Sequence, residues 1–241
     1  MRKLFLIFFV AALQLCALAG TNAAYRVQQS EGWTLHVSEK LLATEPAATA
    51  KALELLTAQL KEIVRVVPAP AVAHLQKVPL WLSPVYPGQR APRAEYHPGA
   101  GWLRENGRDP AMAQAVEITN VLIFEKETKR MPMFILHELA HAYHDQVLGF
   151  ATAEIEAAYR RAVASKSYDA VKLYNGKLAR AYAMTNAKEY FAENTEAFFG
   201  RNDFFPFTRA ELAQHDPDMC RLLARLWGCA ETTAQTPAEK K

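Results

Sequence analysis

The sequence predicts an α+β fold: a first half of strands and helices, then helices, one of which carries the chemistry. Three observations lead there. Short alternating or β-branched apolar runs all lie before residue 125. Apolar residues at three- and four-residue spacing dominate afterwards. No internal repeat or glycine-rich phosphate loop interrupts that order.

Taken in order, Trp33-Thr34-Leu35-His36-Val37 alternates as a half-buried strand does. Pro46 opens an amphipathic helix on Ala50, Leu53, Leu56, Leu60, Ile63, Val64 and Val67, which stops before Pro68. Val78 to Leu82 reads as a strand, with Pro79 favouring an edge or a strand start. Pro84 to Pro110 is rich in proline and glycine and is expected to be mostly loop, with Tyr96, His97 and Trp102 as aromatics that either line a cleft or pack over the loop itself. Val116 to Phe124 is the strongest strand signal. Its composition fits both a strand bordering the substrate cleft and a buried sheet member.

Helices follow over Met133 to Leu148, Ala153 to about Tyr174, and Lys188 to Phe199. Two shorter ones cover Arg209 to His215, where Thr208 and Glu211 fit a capping box, and Pro217 to Trp227, where Asp216 caps a helix with proline at its first position. Residues 230–241 are small and polar and are expected to fray.

Composition bounds the answer. At 241 residues with 51% hydrophobic and 22% charged residues, the chain is neither disordered nor collagen-like and can bury a core as one domain. Met1-Arg2-Lys3 followed by the apolar run Leu4 to Leu15 and small residues reads as a signal peptide over residues 1–23, which implies a secreted or periplasmic protein. The run is too short to span a bilayer, so no stable membrane insertion is expected.

The chain has 28 Lys+Arg and 25 Asp+Glu, and cleavage of the leader takes away Arg2 and Lys3 but no acid. The remaining near-neutral balance, with no basic block interleaved with aromatics, argues against nucleic acid as a partner. Cys16 leaves with the leader, so Cys220 and Cys229 are expected to pair in an oxidising compartment. No heptad or long exposed apolar stripe calls for a partner helix, so a monomer is expected.

The chemistry lies in His137-Glu138-Leu139-Ala140-His141, set in the apolar surroundings of a packed helix. Residues 137 and 141 share one face, so both imidazoles reach one zinc ion while Glu138 stands beside them as general base. The alternative is a pair of ordinary histidines with a helical glutamate. A catalytic site needs a third protein ligand, and Glu189, Glu193 and Glu196 fall on one stripe of the later helix. With Asn186 as N-cap, Glu189 is expected to be spent on a capping box. Glu193, a buried acid in mid-helix, is then the preferred ligand, with Glu189 and Glu196 as alternatives. His144 is expected outside the ligand set; Asp145 or Glu196 either orients a ligand imidazole or faces solvent.

Tyr182-Ala183-Met184-Thr185-Asn186 and Glu189-Tyr190-Phe191-Ala192-Glu193, downstream of His137-Glu138-x-x-His141, resemble the zinc-peptidase domain of the anthrax lethal factor family. The likeness covers about residues 110 to 200. It implies a zincin-like fold of the gluzincin kind, with a small mixed sheet, an active-site helix and a following helical subdomain, zinc on His137, His141 and Glu193, Glu138 as the base, and Tyr182 as a donor to the oxyanion. A single domain over 24–229 follows, with residues 24–109 as an N-terminal lobe of open role and 110–200 as the catalytic core. The expected activity is hydrolysis of a peptide or protein substrate. The competing readings are a zinc-containing binding or scaffold protein without turnover, and a zinc amidase acting on cell-wall peptides.

Overall fold

The computed structural model describes residues 24–88 and 94–229, so the expected signal peptide and the expected frayed tail lie outside the described residues. Its main sheet has strands β1 (Tyr25–Ser30), β2 (Trp33–Ser38), β3 (Leu80–Ser83), β4 (Ala94–His97) and β5 (Ala115–Thr119), in the order β1-β2-β3-β5-β4. β2, β3 and β5 run parallel, while β1 and β4 are antiparallel to their neighbours at the two edges. The fold is therefore α+β with a small mixed sheet, in agreement with the pattern of the sequence.

Local chemistry explains the sheet. Glu31 and Gly32, both at positive φ, close the β1–β2 hairpin in two residues, the backbone that matches strand twist. A Cβ on Gly32 would stand 2.3 Å from Gln76 Nε2, whose amide donates to the Glu31 carbonyl, so the turn is also pinned from outside. In β2 the residues Trp33, Leu35 and Val37 are wholly buried, and with Leu80, Leu82, Val116 and Ile118 they form the covered face.

The helices are α1 (Glu39–Thr44), α2 (Pro46–Val66), α3 (Ala69–Leu75), α4 (Ala100–Glu105), α5 (Phe124–Arg130), α6 (Phe134–Tyr143), α7 (Ala153–Ser165), α8 (Ala187–Phe199), α9 (Arg209–His215) and α10 (Pro217–Leu226). α2 buries Ala52, Leu56, Leu60 and Ile63 at helical spacing against the common core. α6 lies between β4 and β5 on one side and α8 on the other, and both helices are buried almost all round. α6 continues into one π-helical stretch, His144–Leu148. α8 closes on α6 at its end: a Cβ on Gly200 would meet Met133 Cγ at 2.6 Å. α9 carries the expected capping box of Thr208 and Glu211, and Asp216 caps α10 by accepting from the Met219 amide.

Three expectations need correction. The strand expected over Val116 to Phe124 ends at Thr119, because Asn120 turns left-handed (φ 59) and a short 3-10 turn then leads into α5. β5 itself lies inside the sheet between β3 and β4 with all five residues buried, as the buried-member alternative has it, and its end at Ile118 and Thr119 also reaches the wall of the main cavity beside β4. The helix expected to run to about Tyr174 stops at Ser165, where Lys166 adopts a left-handed cap, and a hairpin of β6 (Val171–Lys172) and β7 (Leu178–Ala179) follows. Lastly, Cys220 and Cys229 are free thiols. Cys220 begins in the first half of α10 and Cys229 lies past its end. About six residues of helical rise, roughly 9 Å, separate their levels, more than the roughly 6 Å between Cα atoms that a disulfide spans.

No helix among the described residues is long and apolar enough to cross a membrane.

Candidate metal centre and its cleft

α6 places His137 and His141 one turn apart, and α8 brings Glu189 to both. His137 Nε2 lies 3.2 Å from His141 Nε2 and 3.1 Å from Glu189 Oε2, and His141 Nε2 lies 3.3 Å from the same oxygen. These three atoms form a nearly equilateral triangle. Three donors bound at about 2.0–2.1 Å with tetrahedral angles stand about 3.3–3.4 Å apart, so the observed edges suit a small divalent ion. The group could hold a metal ion with little rearrangement.

Glu189, not Glu193, thus faces the histidine pair. Asn186 Oδ1 alone caps α8, accepting from the Lys188 and Glu189 amides at 2.9 and 3.0 Å. With the cap made by the asparagine, the Glu189 carboxylate is left to turn inward. Glu193, one turn further, lies on the other side of the His137 ring, 3.7 Å from Nδ1, and accepts from Asn202 Nδ2 at 3.2 Å.

Glu196, fully buried, takes the place beside His137 Nδ1 at 2.8 Å. A proton on Nδ1 held by that carboxylate leaves Nε2 with its lone pair toward the triangle, the usual way a ligand imidazole is oriented. Asp145 does not serve this purpose; it accepts from the Tyr96 hydroxyl at 2.7 Å. His144 is wholly buried against Phe150 and Phe191 with both ring nitrogens unpartnered, outside the ligand set as expected, and burial lowers its pKa to about 4.

Four carboxylates crowd the buried histidine pair. Burial opposes a charged His137, yet its hydrogen bonds to Glu189 and Glu196 outweigh burial and hold it well above the usual imidazole range. Burial likewise opposes the Glu189 carboxylate, and the two histidines overcome it and hold the group well below its ordinary range. Glu193 and Glu196 are both pushed upward, chiefly by burial; Glu193 is raised further by the Glu196 charge, while Glu196 reaches about 6 against the opposing pull of His137. Glu196 Oε2 and Asp203 Oδ1 are buried without partners, and Arg130, paired with Glu127 and Asp203, is the nearby fixed positive charge.

A second acidic group with histidine, Glu95, His97 and Glu117, has similar spacing. There the cation is already supplied: Arg108 Nη1 lies 2.8 Å from Glu95 and 2.6 Å from Glu117. Glu95 and Glu117 face each other across β4 and β5, so the guanidinium relieves a like-charge pair in the ladder. His97 and Tyr86 complete the set at 3.0 and 2.6 Å from Glu117. This is a structural ion-pair cluster.

The triangle opens into a cavity of about 580 Å³ whose walls include Tyr96, Phe124, Phe134, Glu138, Tyr182 and Phe204. Glu138 Oε2 accepts the Tyr96 amide at 2.9 Å, and burial raises its pKa. Tyr182, on a 3-10 turn just before α8, is 49% exposed and lines the same cavity. Burial and then the Glu189 charge push its phenol upward, which keeps it a hydrogen-bond donor. The expected residues His137, Glu138, His141 and Tyr182 are thus brought together, and Glu193 adjoins them from behind His137. Tyr96 was legible only as one aromatic among several in a proline-rich stretch; the alternation Ala94-Glu95-Tyr96-His97 ahead of Pro98 was the signal for its strand.

No family model, curated protein or solved structure matches this chain.

Proposed function

We propose that this chain is an exported zinc-dependent metallopeptidase of the zincin-like, gluzincin kind, with zinc on His137, His141 and Glu189 and with Glu138 as the general base. The observation that carries the reading is the triangle of 3.1–3.3 Å edges beside a buried glutamate, at the head of a cleft of substrate size. Export rests on residues 1–23, and zinc over other ions rests on the two-imidazole, one-carboxylate donor set.

Zinc would supply Lewis acidity, which polarises a peptide carbonyl and makes water acidic enough to ionise near neutral pH. The chain's own groups do the rest. Glu138 accepts the proton of the attacking water and returns it to the leaving amine, a role suited to a carboxylate whose pKa burial has raised. Tyr182 donates its hydroxyl proton toward the developing oxyanion from the cavity wall. Glu196 holds the Nδ1 proton of His137 and so fixes the ring. β4, the edge strand that lines the cleft, is where an extended peptide would lie alongside the sheet.

The test is Glu138→Gln, which keeps size and shape. Peptide hydrolysis should fall by about a thousandfold or more while bound zinc stays unchanged, on the scale seen when an essential catalytic group is lost. Undiminished turnover in that variant would remove Glu138 from the base role.

A further inference from the structure

Tyr96 meets the active-site helix at two places, and the two are far apart on it. Its backbone N–H donates to Glu138 Oε2 at 2.9 Å. Its hydroxyl donates to Asp145 Oδ2 at 2.7 Å and accepts from Gln146 Nε2 at 3.0 Å. Asp145 and Gln146 belong to the π-helical continuation of α6, and Glu138 lies seven positions earlier, about two turns or roughly 10 Å along the axis. One residue of the edge strand therefore spans the face of the helix that carries the base.

The surroundings make this a defined linkage. Tyr96 is 9% exposed, and its neighbours Glu95 and His97 are fastened beneath the strand through Arg108 and Glu117. Across the ladder Tyr96 pairs with Val116 of the interior strand β5, so the strand is anchored on its other side as well. Gln146 also reaches the Gln114 carbonyl at 3.4 Å, just before β5. A π-helical segment is uncommon and tends to occur at functional sites; here it is the segment that presents Asp145 and Gln146 to the phenol.

We infer that Tyr96 is a positioning residue for Glu138: its hydroxyl, locked to Asp145 and Gln146, sets the height of β4 over α6 so that its own amide holds the base carboxylate in the cleft. This rests on the proposed role of Glu138. A free glutamate side chain samples several rotamers, and confining one oxygen by a fixed donor removes that freedom before substrate arrives. The same amide is on the cleft edge, so the contact that orients the base is also adjacent to where an extended substrate would run.

The test is Tyr96→Phe in the full chain loaded with zinc, which keeps the ring packing and deletes both hydroxyl bonds. Two readouts are needed. In steady-state cleavage of internally quenched peptides, kcat should fall about tenfold with KM within about twofold and zinc content unchanged, since an interaction acting on the base is lost rather than ground-state binding. In amide hydrogen exchange, the residue-96 amide should exchange about tenfold faster than in wild type while the amides of α2 and α8 keep their protection. Unchanged kcat with unchanged exchange at residue 96 would overturn the inference. So would a general loss of protection together with loss of zinc, which would make the hydroxyl a stabilising contact only. If wild-type protein binds zinc but cleaves no peptide, the peptidase reading fails on its own; the exchange comparison still decides whether the hydroxyl holds the amide on Glu138.

Discussion

Glu117 offers a quantitative check on how the sheet edge above the histidine pair is held. The residue is 1% exposed, and its carboxylate meets Arg108, His97 and Tyr86. Burial would raise its pKa, but the hydrogen bonds from His97, Ser83 and Tyr86 and the Arg108 charge outweigh burial and bring it to about 2, from an ordinary 4.5. The folded-state value is depressed, so this group stabilises the fold fully above about pH 4.5 and loses that contribution as pH falls toward 2. A difference of about 2.5 units corresponds to about 3 kcal/mol at neutral pH. Most of this would remain at about pH 5 and a little over 1 kcal/mol at about pH 3, a loss of about 2 kcal/mol across that interval.

Glu117→Gln removes the titration while preserving shape. Urea unfolding of both proteins at several pH values should therefore show a stability gap that is several kcal/mol at pH 7, since Arg108 also loses its buried partner, and that narrows by about 2 kcal/mol from about pH 5 to about pH 3. Carboxylates outside this cluster have the same surroundings in both proteins and cancel in the gap. Parallel stability curves would show that Glu117 gains nothing from its partners in the fold, and the picture of Arg108 neutralising the β4–β5 pair would be wrong.

Two further substitutions test neighbouring parts of the account. Glu196→Gln keeps a hydrogen-bond acceptor beside His137 Nδ1 but removes its charge, and zinc affinity measured by chelator competition should weaken about 10–100-fold; unchanged affinity would take Glu196 out of ligand orientation. Thr208→Ala removes the side-chain half of the α9 capping box and should cost about 1 kcal/mol in urea unfolding with zinc content unaffected. No measurable loss would mean that Glu211 alone secures that helix start.

Long apolar periodicity and caps were readable because both act locally. α2, α6, α8 and the starts of α9 and α10 follow from residue spacing and from Asn186, Thr208 and Asp216, whose side chains make the expected hydrogen bonds. β4 and α4 were hidden because their stability comes from partners distant in sequence: β4 pairs with β5, and Arg108 bridges Glu95 to Glu117. The β-branched pattern overruns β5 because Asn120, able to turn left-handed, looks like any polar residue in an alternating run. The β6–β7 hairpin carries a signal in Asn175-Gly176, the dipeptide favoured in tight hairpins, but the helix expected up to about Tyr174 overlaps β6.

The choice among the three acids shows the same limit at the site itself. By periodicity Glu189, Glu193 and Glu196 share one stripe, and a capping box with Asn186 would occupy Glu189 at the helix start. In the structure Asn186 makes that cap unaided, and the three acids divide around one imidazole: Glu189 at Nε2, Glu196 at Nδ1, and Glu193 behind them against Asn202. A buried acid in mid-helix does need a partner, but its cost alone does not tell a metal from an asparagine. Only the approach of α8 to α6, set by packing such as Gly200 on Met133, decides which carboxylate reaches the pair.

The most direct test of the central claim is zinc per chain by elemental analysis of wild type, Glu189→Ala and Glu193→Ala after the same chelator wash. The account predicts about one zinc in wild type, almost none in Glu189→Ala, and retention in Glu193→Ala. Wild-type protein without zinc, or Glu189→Ala that keeps its full complement, would contradict it.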